Sequence, residues 1–219
     1  MVKVENPTAP LDLALLARQI REWGGQLGFQ KVGISDIDLS HAEPRLSEWL
    51  RAGFHGEMDY MAKHGVKRAR PAALVPGTLR VIAARIDYSP PRAAASWQVI
   101  NDAGKAFVSR YALGRDYHKV LRRRLQRLAE RIQAAAGAFT YRVFTDSAPV
   151  MEVELAGKAG LGWRGKHTLL LTREAGSYFF LGEIYTNLPL PVDAAVPNHC
   201  CSCEKCIEIC PTLAIVSPY

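Results

Sequence analysis

Cysteine is absent from the first 199 of the 219 residues, and all five cysteines lie between Cys200 and Cys210. A disulfide framework spreads its cysteines through the fold to close long loops. This distribution points instead to a metal site in a reducing compartment, so a cytoplasmic location is expected. No run of 18 apolar residues occurs, which excludes a membrane-spanning helix. The opening segment, MVKVENPTAP, lacks the apolar stretch of a secretory signal. Internal repeats and low-complexity tracts are missing, and no linker cuts the first 185 residues. What remains is ordinary globular composition, 48% hydrophobic and 22% charged. Lys and Arg total 28 against 21 acidic residues, a charge of +7 that favours an anionic partner, nucleic acid included, without requiring one.

Apolar spacing predicts a helix over residues 11–27, with Leu13, Leu16, Ala17, Ile20 and Leu27 on one stripe and Gly24, Gly25 and Gly28 ending it. A short strand over 31–35 follows, then a helix holding Leu46, Trp49 and Leu50 that stops at Gly53. Residues 54–78 read as loop, and 79–88 as a strand closed by Pro90 and Pro91. The longest helix is expected over 117–135, where Leu121, Leu125, Leu128 and Ile132 form a buried stripe. Its other face carries Arg122, Arg123, Arg124, Arg127 and Arg131, which reads as a solvated face or a track for phosphates. Strands at 139–144, 168–172 and 178–185 flank a helix at 149–158. Pro189, Pro191 and Pro197 then form a stiff connector into the cysteine segment. The expected class is α+β, with a core over 1–186 and a small appendage over 187–219.

Within that appendage Cys200, Cys203, Cys206 and Cys210-Pro211 make a C-x2-C-x2-C-x3-C-P run, the ferredoxin pattern for iron–sulfur ligation. Three thiolates in a tight loop cap three corners of one cluster, and the fourth turns toward another. A four-cysteine zinc site more often shows two separated C-x2-C pairs, and a redox dithiol needs only one. Cys201 fits no ligand slot. Two clusters need a second cysteine run, so the ligand set is incomplete and a truncated chain is expected.

With those residues in hand, the sequence resembles the epoxyqueuosine reductase family over essentially its whole length. The resemblance runs through Gly53-Phe54-His55-Gly56-Glu57-Met58-Asp59-Tyr60-Met61, Arg68-Ala69-Arg70-Pro71, Ser109-Arg110-Tyr111 and Gly114-Arg115-Asp116-Tyr117-His118. It continues in Asp146-Ser147-Ala148-Pro149, Gly160-Leu161-Gly162-Trp163-Arg164-Gly165-Lys166 and Leu181-Gly182-Glu183. The resemblance implies a nitroreductase-like cobalamin-binding domain, similar in architecture to reductive dehalogenases, followed by part of a ferredoxin-like domain. It implies reduction of epoxyqueuosine to queuosine in tRNA, with cobalamin fed by two [4Fe–4S] clusters in the complete protein. The implied partners are that tRNA and an electron donor, with no membrane, and the protein is expected to be a monomer.

Residue roles follow from the two readings together. Asp146, before Ser147 and Pro149, reads locally as a helix cap, whereas the resemblance makes it the general acid, buried with a raised pKa. Gly162, Trp163, Lys166 and His167 lie in a glycine-rich loop that serves either a tight connection or close approach to a large flat ligand. Arg68, Arg70 and Tyr111 are candidates for cofactor or substrate contact on the same resemblance. Asp116-Tyr117-His118 is similar to the start of a D-x-H-x-x-G cobalt-ligand motif, but Leu121 occupies the glycine slot. His118 is therefore expected to be a helix-start residue, not a cobalt ligand. A plain ferredoxin-type electron carrier, and a cobalamin- or tRNA-binding part without catalysis, are the other functional readings.

Overall fold

The computed structural model describes residues 11–89 and 94–219. Pro90 and Pro91, expected to close the second strand, lie outside them. Asp12 starts α1 (Leu13–Gln26) by accepting from the N–H groups of Ala14 and Leu15 at 3.0 and 2.9 Å. Leu16, Ala17 and Ile20 of the expected stripe are buried. The helix runs through Gly24 and Gly25, which the sequence reading had placed at its end. A Cβ on Gly24 would lie 2.4 Å from Cγ2 of Val32, so glycine lets the last turn rest on β1 (Lys31–Ser35). Gly28, at φ +83°, turns the chain out of the helix.

The main sheet has the order β1-β2-β6-β3, antiparallel throughout, with β2 at Arg80–Asp87, β3 at Tyr141–Phe144 and β6 at Phe179–Thr186. The fold is α+β, with helices on both faces of this sheet. Strand alternation sorts the side chains: Val32, Ile34, Ile82, Ala84 and Ile184 join α1 and α5 (Tyr117–Ala136) in the larger core. Leu121, Leu125, Leu128 and Ile132 of α5 are all buried there, each worth roughly 1.5–3 kcal/mol of transfer free energy. Gly182 sets how close α5 comes, because a Cβ on it would lie 2.8 Å from Leu125 and 3.0 Å from Leu121. Val81, Ala83 and Tyr185 face the other way, toward α6 (Glu152–Lys158). Gly33 is the matching close approach on that side, since its Cβ would meet the carbonyl oxygen of Ala159 at 2.1 Å.

Several expected boundaries shift. The helix expected from 149 starts at Glu152, and the strand expected over 168–172 is Leu170–Leu171 (β5), paired with Trp163–Arg164 (β4) in a small hairpin. The expected loop over 54–78 contains 3₁₀ turns at Asp59–Met61 and Gly65–Arg68 and the short α3 (Pro71–Leu74). Helix α2 is Glu43–Arg51, and α4 (Ser96–Ile100) had no counterpart in the sequence reading.

After β6 the chain stays on the core. Leu188 and Leu190 are buried in the larger cluster, and Arg80 donates from Nε to the Leu190 carbonyl at 2.7 Å. Asp193 accepts from Arg21 Nη2 at 2.6 Å and from the Ile34 N–H at 2.8 Å. Pro189 and Pro191 therefore stiffen a segment already seated on the sheet. The short α7 (Lys205–Glu208) lies within the cysteine run.

Two glycine substitutions have opposite expected signs. Gly33→Ala forces a methyl group into the Ala159 carbonyl and lowers stability by about 1–3 kcal/mol. Gly25→Ala sits in a helix with nothing within 4 Å of the added carbon and raises stability by about 0.5–1 kcal/mol. Urea unfolding midpoints check both, and equal midpoints for the two variants contradict the assignment of close contacts.

Candidate active site

Tyr117 opens α5 one turn before Leu121, so it continues the buried stripe to the helix end. Its ring is stacked on Phe180 of β6 at 3.9 Å and 1°, and against His118 at 4.0 Å. Asp116 caps the helix by accepting from the His118 N–H at 3.0 Å. The same carboxylate lies 3.0 Å from His118 Nδ1, and Asp146 lies 3.1 Å from His118 Nε2. Asp146 also accepts from the Tyr117 hydroxyl. The imidazole is thus bracketed by two carboxylates, and the carboxylate of Asp146 lies against both the Tyr117 hydroxyl and His118 Nε2.

Asp146 follows β3 at φ +48°, a left-handed conformation uncommon for any residue but glycine and best tolerated by Asp and Asn. Neither local expectation for it holds. Helix α6 begins after Met151 without a side-chain cap, so Asp146 caps nothing. Nor is it buried: its side chain is 49% exposed, on the rim of a cavity of about 180 Å³. Tyr117, Glu152, Leu169, Phe179 and Phe180 line that cavity with it.

The strongly perturbed acids stand behind Asp146. Burial, aided by the nearby Asp146 carboxylate, pushes Glu152 up to about 8. Glu183 on β6 is wholly buried, neither carboxylate oxygen has a hydrogen-bond partner, and burial pushes its pKa well above the usual range. Burial, then the bond to Asp146, hold the Tyr117 phenol protonated far into the alkaline range. Sequence reasoning missed Tyr117, His118, Glu152 and Glu183 as site residues. The available signal was the acid–aromatic–histidine triplet at a helix start and a glutamate in a strand otherwise apolar on both sides.

The other candidates divide. Tyr111 is exposed and close enough to Tyr117 to raise its pKa slightly, so it joins the site. The glycine-rich segment is the β4–β5 hairpin, whose Leu169 and Leu170 line the cavity. A Cβ on Gly162 would meet the Leu171 carbonyl oxygen at 2.3 Å, and one on Gly165 would meet the His167 ring at 2.6 Å, so hairpin closure already requires both glycines. Trp163 packs edge-on to His199, with its buried indole N–H unpartnered. Lys166 is buried and 3.8 Å from Glu204, turned toward the cysteine segment. His167 accepts at Nδ1 from the Leu169 N–H at 3.2 Å, and burial lowers its pKa. Arg68 is buried against the Tyr60 carbonyl at 3.1 Å, while Arg70 forms a two-pronged pair with Glu43 at 2.8–3.1 Å. None of those contacts of Arg68 and Arg70 involves the cavity.

Among the described residues, no three His, Cys, Asp or Glu side chains converge as a metal site. Cys200 and Cys203 are joined by a turn, Cys203 N–H to Cys200 carbonyl at 2.7 Å, and Cys206 lies in α7. Cys210 is drawn down to about 7 by the Ile215 N–H and the Thr212 hydroxyl, 3.8 Å away. Cys201 is exposed, at φ +41°.

The family model described as "Epoxyqueuosine reductase QueG, DUF1730" matches residues 68–147, a span that contains Tyr117, His118 and Asp146. A Pseudomonas aeruginosa epoxyqueuosine reductase is 60% identical over 212 residues, covering 96% of this chain and 58% of that protein. Over the stretch it spans, the chain is similar to epoxyqueuosine reductases. It spans just over half the length of the curated relatives it matches. A crystal structure of epoxyqueuosine reductase with an epoxyqueuosine-modified tRNA stem loop is 27% identical, with a TM-score of 0.79, covering 94% of this chain and 54% of that one. The Bacillus subtilis enzyme described with its catalytic aspartate loop swung out of the active site matches with the same identity, TM-score and coverage. A reductive dehalogenase shares the fold, at a TM-score of 0.56 and 16% identity over 89% of this chain and 22% of its own.

Two titrations test the electrostatics of this site. Tyr117 ionises at higher pH than the exposed tyrosines, and Asp146→Asn brings its pKa down while burial keeps it above ordinary; ring-labelled NMR across alkaline pH reads both. In wild type, the unfolded chain sheds the Glu183 proton near pH 4.5 while the folded chain keeps it, so Glu183 costs more stability as pH rises. Glu183→Gln therefore gains stability relative to wild type by a margin that grows from about pH 4.5 upward. A margin independent of pH, by denaturant unfolding, contradicts a protonated Glu183.

Proposed function

We propose that this cavity is the site of a cobalamin-dependent reduction of epoxyqueuosine to queuosine in tRNA, with Asp146 delivering a proton to the departing oxygen. The observation that carries the reading is the Tyr117–Asp146–His118 network on the rim of an apolar cavity, in a chain 60% identical to a named reductase. The catalytic aspartate loop of the Bacillus subtilis relative supports the same role for Asp146.

At about 180 Å³ the cavity would take only the edge of a large flat ring, which would lie over its mouth against the exposed Leu169, with Asp146 as the acid at its edge. Gly162, Trp163, Lys166 and His167 would border that ring from the hairpin side, with Arg68 and Arg70 farther out. Bound there, cobalamin supplies the low-valent cobalt that reduces the epoxide-bearing ring. The chain's own work is to orient and protonate. Tyr117 and His118 fix the Asp146 carboxyl, and the stack of Tyr117 on Phe180 fixes Tyr117. Leu169 and Phe180 keep water from the reacting face.

A second cleft of about 760 Å³ lies beside Ser147 and carries His64, Lys67, Arg122 and Arg142 on its walls. It supports a tRNA path, since phosphates would run along these cations toward the cavity. Of the α5 arginines, Arg122 lines this cleft, while Arg124 and Arg131 are tied to Gly28 and Gln26.

Thiolates of Cys200, Cys203, Cys206 and Cys210 have the chemistry of iron–sulfur ligands, but they do not converge and two [4Fe–4S] clusters need further cysteines. No step here passes through them. The division into 1–186 and 187–219, an external electron donor, a monomeric state and a cytoplasmic location belong to the same proposal. No helix among the described residues is long and apolar enough to cross a membrane. A cobalamin- and tRNA-binding part without full activity is the second reading, favoured by the chain's coverage of 58% of its relative.

Anaerobic reconstitution with iron, sulfide and cobalamin, followed by cobalt and iron analysis and a tRNA turnover assay, tests the reading. Stoichiometric cobalt is expected. Asp146→Asn should lower turnover by about 10²–10⁴-fold with cobalt content unchanged. Failure to bind cobalt under any condition overturns the proposal, and cobalt binding without turnover selects the second reading.

A further inference from the structure

Removing an epoxide oxygen as water consumes two electrons and two protons, yet Asp146 holds at most one proton. As placed, its carboxylate accepts from Tyr117 and sits against His118, arranged to receive a proton before it can give one. A second proton must therefore reach the site, either from solvent at the half-exposed face of Asp146 or from an acid behind it.

The sheet supplies a row of carboxyl groups running inward from Asp146. Glu152, the first residue of α6, lines the same cavity as Asp146 and Tyr117, and its charge bears on Glu183 behind it. Glu183 stands directly across from Ala83 on β2 and Phe144 on β3, on the sheet face that α6 covers. The small side chain of Ala83 and the absence of one at Gly33 let α6 lie low over this face, so Glu183 is entirely enclosed.

Among the described residues, the cations nearest this face are engaged elsewhere, while Lys31 at the start of β1 is exposed. Arg85 on β2 pairs with Asp87 at 3.0 Å and reaches Glu174 at 3.9 Å. Arg80 is bonded to Leu190, and Arg142 on β3 lies over the Phe144 ring at 5.0 Å. Lys158 at the far end of α6 pairs with Asp36, and Arg164 pairs with Glu154 at 2.7 Å. The remaining titratable group on this face is the phenol of Tyr185, also buried and unpartnered. With no counter-ion, these acids keep their protons by burial.

We propose that Glu152 is the second proton donor of the reaction, acting through Asp146, with Glu183 a neutral acid behind it. This rests on the reading of the cavity as a site of epoxide reduction. An external one-electron donor of iron–sulfur type delivers two electrons in succession, and the carbon–oxygen bonds break. Asp146 protonates the departing oxygen and becomes a carboxylate. Glu152 passes its carboxyl proton to Asp146, which delivers it to make water. Glu152 then recovers a proton from solvent at the cavity mouth, and a second solvent proton returns through it to Asp146, so that two protons are taken up for the two delivered and both acids are reset. Asp146 touches the substrate; Glu152 is a relay residue.

The test uses the cobalamin-loaded protein with wild type, Glu152→Gln, Glu152→Asp and Asp146→Asn side by side. Wild-type kcat should fall above about pH 8, where Glu152 loses its proton. Glu152→Gln should lower kcat about tenfold at neutral pH, abolish that alkaline limb and leave the KM for tRNA unchanged. Glu152→Asp should retain most activity with a shifted limb, which covers a Glu152→Gln chain that folds poorly. Independently of turnover, infrared spectra should show a protonated-carboxyl band that titrates near pH 8 and is absent in Glu152→Gln. Wild-type turnover with kcat and pH profile unchanged in Glu152→Gln overturns this proposal alone, as does absence of the band. No wild-type turnover despite bound cobalt overturns the relay together with the functional reading.

Discussion

The seating of α5 on β6 is the contact on which both core and site depend. Gly182 lets Leu121 and Leu125 reach the strand, and the stripe they belong to runs on without a break to Tyr117. A residue that would otherwise be one more core position carries a hydroxyl to Asp146. The same strand contributes Phe180 beneath the tyrosine ring. Helix packing and acid placement are therefore one constraint, and a shift of α5 that costs packing also costs the bond to Asp146.

The opposite face of the sheet works by a different rule. There α6 lies over Ala83 and Gly33, and the space it closes holds a carboxyl and a phenol without partners. Such burial costs free energy even for neutral groups and far more for charged ones, so both stay protonated. Perturbed acids gathered behind a cavity are an arrangement found at catalytic sites, and their position behind Asp146 makes a structural explanation by itself incomplete.

The legibility of the molecule followed the strength of its periodicities. Helices α1 and α5 carry unbroken apolar stripes, and β1, β2 and β6 are dense in β-branched or aromatic residues, so their places were readable within a few positions. The errors have a common cause in contacts across the fold. Gly24 and Gly25 look like a helix end until Val32 is placed against Gly24, and Gly162 of the β4–β5 hairpin is needed by its own partner strand whatever the hairpin borders. Asp146 was singled out by the motif that holds it, but not its exposure, because nothing local says that α6 starts only after Met151. His118 was read as a helix-start residue and is one; its bracketing by two carboxylates needed residue 146 to come back across the sheet.

The latch at Asp193 has a geometric consequence for electron supply. Its carboxylate is fastened to Arg21 and to the backbone of β1, so the strand edge is a fixed anchor for whatever follows. Six residues lie between Asp193 and Cys200, a stretch that spans about 25 Å at most when fully extended. The cysteine segment is thus on a short leash. Any redox centre it helps to hold is confined to a small volume about one corner of the sheet, with its travel limited by chain length alone.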